Sequence, residues 1–309
     1  MPKKFAFSDD GSRYHTLKYH NRRFWGRPVY KAVVDAGFTC PNIDGSCGVG
    51  GCVYCSGGSG YFTAPELSVR EQILRETERI HAVHPEAGII AYFQAHTNTY
   101  GTLGRLREVY SEALECEICG ISIATRADCL DRERAEFLAS LGVPVTLELG
   151  LQTAHDSTAR LINRGHDFAE FVRGFETARN AGLRICVHII NGLPGETPEM
   201  MEQTAEILGG MRPDGVKIHL LHVIKNTTLA GLWESGKYQP MERDDYIGTV
   251  VRQLELLPPE TVIERLTGDG DREELLAPLW SLDKRAVLGG IMKRQKQLDS
   301  IQGLRFQEG

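Results

Sequence analysis

From residue 29 onward, short apolar runs alternate with amphipathic stretches of helical period, and this rhythm limits the chain to very few folds. Strands are expected over 29–38, 88–94, 120–125, 145–151, 184–190 and 215–222, and helices over 68–82, 103–114, 131–141, 168–181 and 198–208. Ser68 and Glu71 form a capping-box pair at the start of the first helix, and Gly182 ends the fourth. Apolar strands separated by helices argue for a parallel sheet covered by those helices, an α/β fold. Such units suit a partial or full barrel. A doubly wound open sheet satisfies the same alternation, but the glycine fingerprint of dinucleotide-binding sheets is missing after the first strand. The expectation is therefore a partial, TIM-like (β/α)6 barrel.

Past residue 225 the rhythm changes to a helical stretch over 244–257, a Pro258-Pro259 stop, a strand-like 261–266, a Gly268-Asp269-Gly270 turn and a last amphipathic helix over 284–298. The expected organisation is a basic N-terminal segment (1–28), a core (29–225) and a mixed C-terminal extension (226–309), with 261–266 a candidate further strand of the sheet.

Composition narrows the class. With 309 residues, 41% hydrophobic and 25% charged, the chain has the make-up of an ordinary globular protein. Its longest apolar runs fall far short of the ~20 residues of a membrane-spanning helix, so no membrane association is expected. The first ten residues contain no apolar core of a secretory signal, so a cytoplasmic location is expected. In that compartment eight cysteines point to metal or catalysis rather than to disulfides, and four of them fall between positions 40 and 55. Charge is uneven: the net value is −6, yet residues 1–31 hold eight Lys/Arg against two Asp, and residues 284–309 hold six against two acids. A polyanion would meet these basic ends more readily than the acidic body, and with Tyr14, Tyr19 and Trp25 they make a candidate phosphate-binding patch beside the barrel mouth. A solvated surface of ordinary charge fluctuation is the alternative.

The four clustered cysteines lie in one glycine-rich loop, Cys40-Pro-Asn-Ile-Asp-Gly-Ser-Cys47-Gly-Val-Gly-Gly-Cys52-Val-Tyr-Cys55, which follows the first strand. Loops longer than about 12–15 residues without structure of their own are usually functional or disordered. Three thiolates converging from such a loop can hold three irons of a 4Fe-4S cluster and leave the fourth open to a small molecule. The same four cysteines could instead close a zinc site or a fully ligated cluster. A loop after the first strand lies at the C-terminal face of the sheet, where barrel active sites are built.

Several ordered stretches resemble a known family. They are Tyr14 to Tyr19, Thr39-Cys-Pro-Asn42, Gly51-Cys-Val-Tyr-Cys55, Thr97-Asn-Thr-Tyr100, Glu148-Leu-Gly-Leu-Gln-Thr153, Ile162-Asn-Arg-Gly-His166, Gly192-Leu-Pro-Gly-Glu196, Lys217-Ile-His-Leu-Leu-His222, Arg265-Leu-Thr-Gly-Asp-Gly270 and Ala277-Pro-Leu-Trp-Ser281. Over nearly its whole length the chain resembles the radical S-adenosylmethionine (radical SAM) proteins of the YhcC/YtqA group, relatives of the Elongator catalytic subunit and of the tRNA methylthiotransferases. The resemblance implies a 4Fe-4S cluster on Cys40, Cys52 and Cys55, with S-adenosyl-L-methionine as second cofactor. Cys47 matches no ligand position of that family and is expected to be a bystander thiol.

The resemblance also implies roles around the cofactor. Tyr54 stands where such proteins place an aromatic beside the adenine, and Gln94, His96 and Asn98 stand where they bind the methionine amino group. Glu148 and Gln152 share one side of their strand by its two-residue period, as candidates for the ribose or methionine end; a structural ion pair is the alternative for Glu148. Arg164 suits the cofactor carboxylate, since a guanidinium fork matches that group. His188, His219 and His222 end on one face of adjacent strands and are candidate pocket residues. Cys116 and Cys119 are expected to be core or surface thiols, Cys186 a core thiol, and Cys129 a neighbour of the substrate. The reaction implied is reductive cleavage of S-adenosylmethionine to a 5′-deoxyadenosyl radical, fed by a one-electron donor such as flavodoxin or ferredoxin. Maturation of the tRNA wobble uridine, from a carboxymethylaminomethyl to an aminomethyl group, is the implied use. A radical enzyme for a small molecule or protein, and a non-catalytic protein with a closed four-cysteine site, stand as alternatives.

Overall fold

The computed structural model describes residues 3–56, 63–94, 96–268 and 270–308, so residues 57–62, which follow the cysteine loop, and Asp269 of the expected Gly268-Asp269-Gly270 turn lie outside the described residues. The chain runs α1 (Leu17–Trp25), β1 (Val29–Val34), α2 (Val69–His81), β2 (Gly88–Phe93), α3 (Leu103–Leu114), β3 (Gly120–Thr125), α4 (Arg132–Ala139), β4 (Val145–Gln152), α5 (Asp156–Leu161), α6 (Phe168–Asn180) and β5 (Arg184–Asn191). It continues through α7 (Pro198–Met211), β6 (Gly215–Leu220), β7 (Val223–Ile224), α8 (Thr228–Glu234), α9 (Arg243–Leu256), β8 (Val262–Arg265), β9 (Leu275–Ala277) and α10 (Lys284–Gln297).

Among the described residues, seven strands make one sheet in the order β1-β2-β3-β4-β5-β6-β8, every neighbouring pair parallel. Spatial order follows sequence order, so right-handed crossovers place each connecting helix on the same side, and the reversal that defines a doubly wound sheet does not occur. The result is a curled partial barrel whose edges are β1 and β8. The strand expected over 261–266 is β8, and it joins β6 as the seventh member.

The period of two in each strand divides the sheet into two faces. Val34, Ala91, Phe93, Ile121, Ile123, Leu147, Leu149, Val187 and Ile218 are buried in the main core against the helices. Each large apolar side chain so buried contributes about 1.5–3 kcal/mol. The alternate positions, Lys31, Tyr92, Ser122, Glu148, His188 and Lys217, meet one another on the concave face. Helix starts follow local chemistry: the Ser68–Glu71 capping box is formed in both directions, and Asp167 with Glu170 forms a second one at α6.

Helix α1 is the principal departure from the sequence reading. Thr16 caps it and bridges to Ile263 on β8. A Cβ at Gly120 would stand 3.3 Å from the Trp25 ring, and one at Gly88 3.1 Å from Arg27 Nε. Trp25 and Arg27 therefore lie under the N-terminal ends of β3 and β2, so the segment crosses the floor of the barrel. This corrects the expectation of a basic patch beside the mouth: the cysteine loop leaves the opposite, C-terminal ends of the strands. The reason is packing, because Trp25 at the end of α1 covers the start of β3 while Thr16 at its other end bridges to β8, and Arg22 and Arg23 are carried between them.

Candidate active site

The loop after β1 is wound by its own backbone. The Ile43 and Asp44 amides donate to the Cys40 carbonyl (2.8 and 3.1 Å), Cys47 N to Pro41 O (2.8 Å), Gly51 N to Asn42 O (2.8 Å) and Cys55 N to Cys52 O (2.9 Å). Gly50 and Gly51 adopt φ of 81° and 73°, the left-handed region glycine enters without strain.

A second segment, Ile162 to Gly165, clasps this loop. Val53 N donates to Ile162 O (3.0 Å), while Asn163 Nδ2 donates to Gly51 O (2.7 Å) and Val49 O (3.2 Å). Asn42 is fully buried, and its Nδ2 donates to Asn163 O (2.6 Å) and reaches Cys52 Sγ at 3.6 Å. Arg164 donates through Nη2 to Gly150 O (2.6 Å) and points Nη1 at Cys52 Sγ (3.9 Å). Arg126, paired in parallel with both oxygens of Asp128 (2.9 and 2.7 Å), donates to Arg164 O (2.8 Å) and so braces the clasp.

Beneath the strand ends lies a polar layer centred on Glu148. Its Oε1 accepts from Lys31 Nζ (2.5 Å) and Ser122 Oγ (2.7 Å); its Oε2 accepts from Tyr92 OH (2.8 Å), His188 Nε2 (2.9 Å) and Lys217 Nζ. Burial alone would raise the Glu148 carboxyl, but the Lys217 and Lys31 ammoniums outweigh it and hold the group well below the usual carboxylate range. Both lysines stay charged, because the Glu148 carboxylate overcomes the desolvation that would lower them. Burial, with Lys217 next, lowers His188, and burial, with His188 next, lowers His219, so both imidazoles are held below their ordinary value. Their rings are 5.1 Å apart.

Comparisons with known proteins give the family and the fold. The radical SAM superfamily model matches residues 45–208, and the radical SAM C-terminal domain matches 213–297. YtqA of Bacillus subtilis is 44% identical over 308 residues, 98% of this chain and 96% of that protein. The chain belongs to the radical SAM superfamily. YhcC of Escherichia coli is 39% identical over 84% of each chain. The solved structure of Elp3 from Methanocaldococcus infernus shares the fold, with a TM-score of 0.66 and 18% identity over 87% of this chain and 64% of that one. The superfamily match begins after Cys40, so that cysteine rests on the loop itself rather than on the matched stretch.

Within the radical SAM fold the residues read from the sequence divide by position. Cys40, Cys52 and Cys55 are half-buried in the wound loop, whereas Cys47 is exposed. Tyr54 packs against the apolar cluster around Leu229, and burial, with the Cys52 sulfur next, raises its hydroxyl well above the ordinary value. Gln94 follows β2 directly, its backbone N donating to Val34 O (3.3 Å). His96 (φ 57°), past the end of β2, and Gln152 (φ 72°), the last residue of β4, sit in the left-handed region, a strained conformation that clusters at functional sites. Glu148 and His188 belong to the layer below, where Glu148 is fully engaged by protein donors, while His222 packs beneath Gly268 and Gly270. Cys129 is half-buried, and burial followed by Asp128 pushes its thiol up to about 12.

Gln152 Oε1, Arg164 Nε, Asn42 Oδ1 and His219 Nε2 are buried without a hydrogen-bond partner among the described residues. Such orphaned groups are rare and want an explanation. Those at Gln152 and Arg164 surround the clasped loop and offer an acceptor and a donor, which fits an amino-acid head group and ribose hydroxyls beside the cysteines. Residues missed in the sequence reading were Asn42, Arg126 and Asp128 at the clasp and Lys31, Tyr92, Ser122 and Lys217 in the layer. Lysines at inward positions of apolar strands were the available signal.

Proposed function

We propose that the chain holds a 4Fe-4S cluster through Cys40, Cys52 and Cys55, binds S-adenosylmethionine beside it, and matures the tRNA wobble uridine by converting a carboxymethylaminomethyl group to an aminomethyl one. The observation that carries the cofactor reading is the clasp, which sets Cys52 Sγ between Asn42 and Arg164 at the C-terminal face of the sheet. When bound, the two cofactors supply a 5′-deoxyadenosyl radical that removes a hydrogen atom from the substrate. The chain does the rest. Arg164 would orient the cofactor carboxylate, Gln152 and Gln94 would bond its amino and hydroxyl groups, and Tyr54 would contact its adenine. The curled sheet excludes water, while Glu148 and His188 act through the layer beneath. A one-electron donor such as flavodoxin or ferredoxin feeds the cluster. The tRNA part is supported by the ordered motifs shared with the YhcC/YtqA group. Among the described residues no helix is long and apolar enough to cross a membrane.

Anaerobic reconstitution tests the cofactor reading: about four iron atoms per chain and reductive cleavage of S-adenosylmethionine are expected, lost in Cys40→Ala, Cys52→Ala and Cys55→Ala and kept in Cys47→Ala. Cleavage that survives Cys40→Ala would overturn the ligand set. Nucleoside analysis of tRNA from cells with and without the gene tests the substrate, and an unchanged wobble nucleoside would overturn it.

A further inference from the structure

We propose that Lys31, with Lys217 behind it, forms an anion site on the concave face of the sheet that receives the carboxylate of the substrate side chain. This rests on the wobble-uridine reading, in which the substrate carries a carboxylate that the product lacks, and it names the residues that tell the two apart.

The layer has more donors than acceptors. Five protein donors converge on Glu148, which offers about four lone-pair sites. The remaining carboxylate, Glu264, is shared between Lys31 (3.4 Å) and Arg184 (3.5 Å). Among the described residues, these ion pairs set Lys31, Lys217 and Arg184 against Glu148 and Glu264, leaving one positive charge in excess. Lys31 and Arg184 keep 25% and 26% of their side-chain surface, so water offsets that excess until an anion takes its place.

Exposure shows which members meet a ligand. Lys31 keeps 25% of its side-chain surface and His188 17%, whereas Glu148 is fully covered and Lys217 retains 5%. An entering group therefore meets an ammonium and an imidazole, with the carboxylates behind them. Both ammoniums lie over the Tyr92 ring, 4.6 and 4.9 Å from its centre, which holds them in place before any ligand arrives. Lys31 stands three residues before the end of β1, about 10 Å below the face from which the cysteine loop emerges. A nucleoside held at that face can send a flexible substituent toward Lys31.

The experiment uses the full chain, reconstituted anaerobically, with N-methylglycine as the probe and methylamine at equal ionic strength as the control. Binding is read from the ring-proton resonances of His188 and His219. Saturable shifts with N-methylglycine alone are expected, weakened roughly tenfold or more in Lys31→Met and retained in Lys31→Arg. The charge-balanced Lys31→Met/Glu148→Gln serves where the single variant fails to fold, and weakened binding is expected there too. No saturable shift in the wild type, or unchanged binding without Lys31, overturns the site. Because this titration contains no RNA, binding by a protein that leaves tRNA nucleosides unchanged would uphold the anion site and sink the wobble-uridine reading. Nucleoside conversion with an unaltered KM in Lys31→Met would sink the site alone.

Discussion

Single atoms decide the geometry around Cys52. Gly165 adopts φ 76°, and a Cβ there would lie 2.6 Å from Asn42 Oδ1. Gly165→Ala must therefore displace the side chain that ties the cysteine loop to Asn163. The expected outcome is a loss of about 1–3 kcal/mol in denaturant unfolding together with lower iron content after reconstitution. Full iron loading in a normally stable variant would show that the clasp does not shape the ligand set. At this scale the sequence was partly legible: Cys40, Cys52, Cys55 and Arg164 drew attention by residue type and motif. Asn42 was part of a motif but received no role, because an asparagine in a loop reads as turn chemistry until its partner 121 residues away is known.

Elements were more legible than their uses. Every expected strand of the core is present, since apolar runs bounded by turns have few other ways to bury themselves. Helix α1 was not expected: Leu17, Tyr19, Phe24 and Trp25 are scattered in an otherwise polar sequence, and the surface it covers exists only once the strands have assembled. Short α5 and α8 escaped for a similar reason, having too few turns to show a period. Helix α6 supplies a test. A Cβ on Gly174 would fall 2.1 Å from the Ala127 carbonyl oxygen, in the tight turn after β3 that carries Arg126 and Asp128. Gly174→Ala is expected to push α6 off that turn and to destabilise the protein by about 1–3 kcal/mol, read as a lower Tm. An unshifted Tm would mean that the turn moves freely, and Arg126 would then not be braced.

The whole molecule joins what the sequence keeps apart. Both basic ends meet on one side: Arg13 pairs with Asp299 (3.0 Å), Gln302 N donates to Arg13 O (2.9 Å), and His15 N donates to Gln302 Oε1 (2.8 Å). Acid sensitivity is also a property at this scale. Burial, followed by Arg184 for His20, Arg164 for His166 and Lys284 for His222, lowers each of these imidazoles to about 4. An unfolded chain binds those protons near 6.5, so these groups leave stability intact above that pH and remove it as pH falls toward about 4. Glu148 and Glu264, held below the usual carboxylate range, extend the loss to lower pH. Thermal melts from pH 8 to 4 should therefore show Tm level above about 6.5 and falling below it. A Tm that rises on acidification would contradict the buried neutral histidines.

The amino-acid sequence by itself determined the parallel α/β architecture, the cysteine loop at the end of the first strand and the uneven charge. Hydrophobic period, turn residues and local spacing are written within a few residues of one another. Only the tertiary structure decided that the basic N-terminal segment lies under the floor, that Asn42, Arg164 and Cys52 form one clasp, and that Lys31 and Lys217 share Glu148. Those facts depend on contacts between residues 10 to more than 100 positions apart, which exist only after the sheet has curled and brought its inward side chains together.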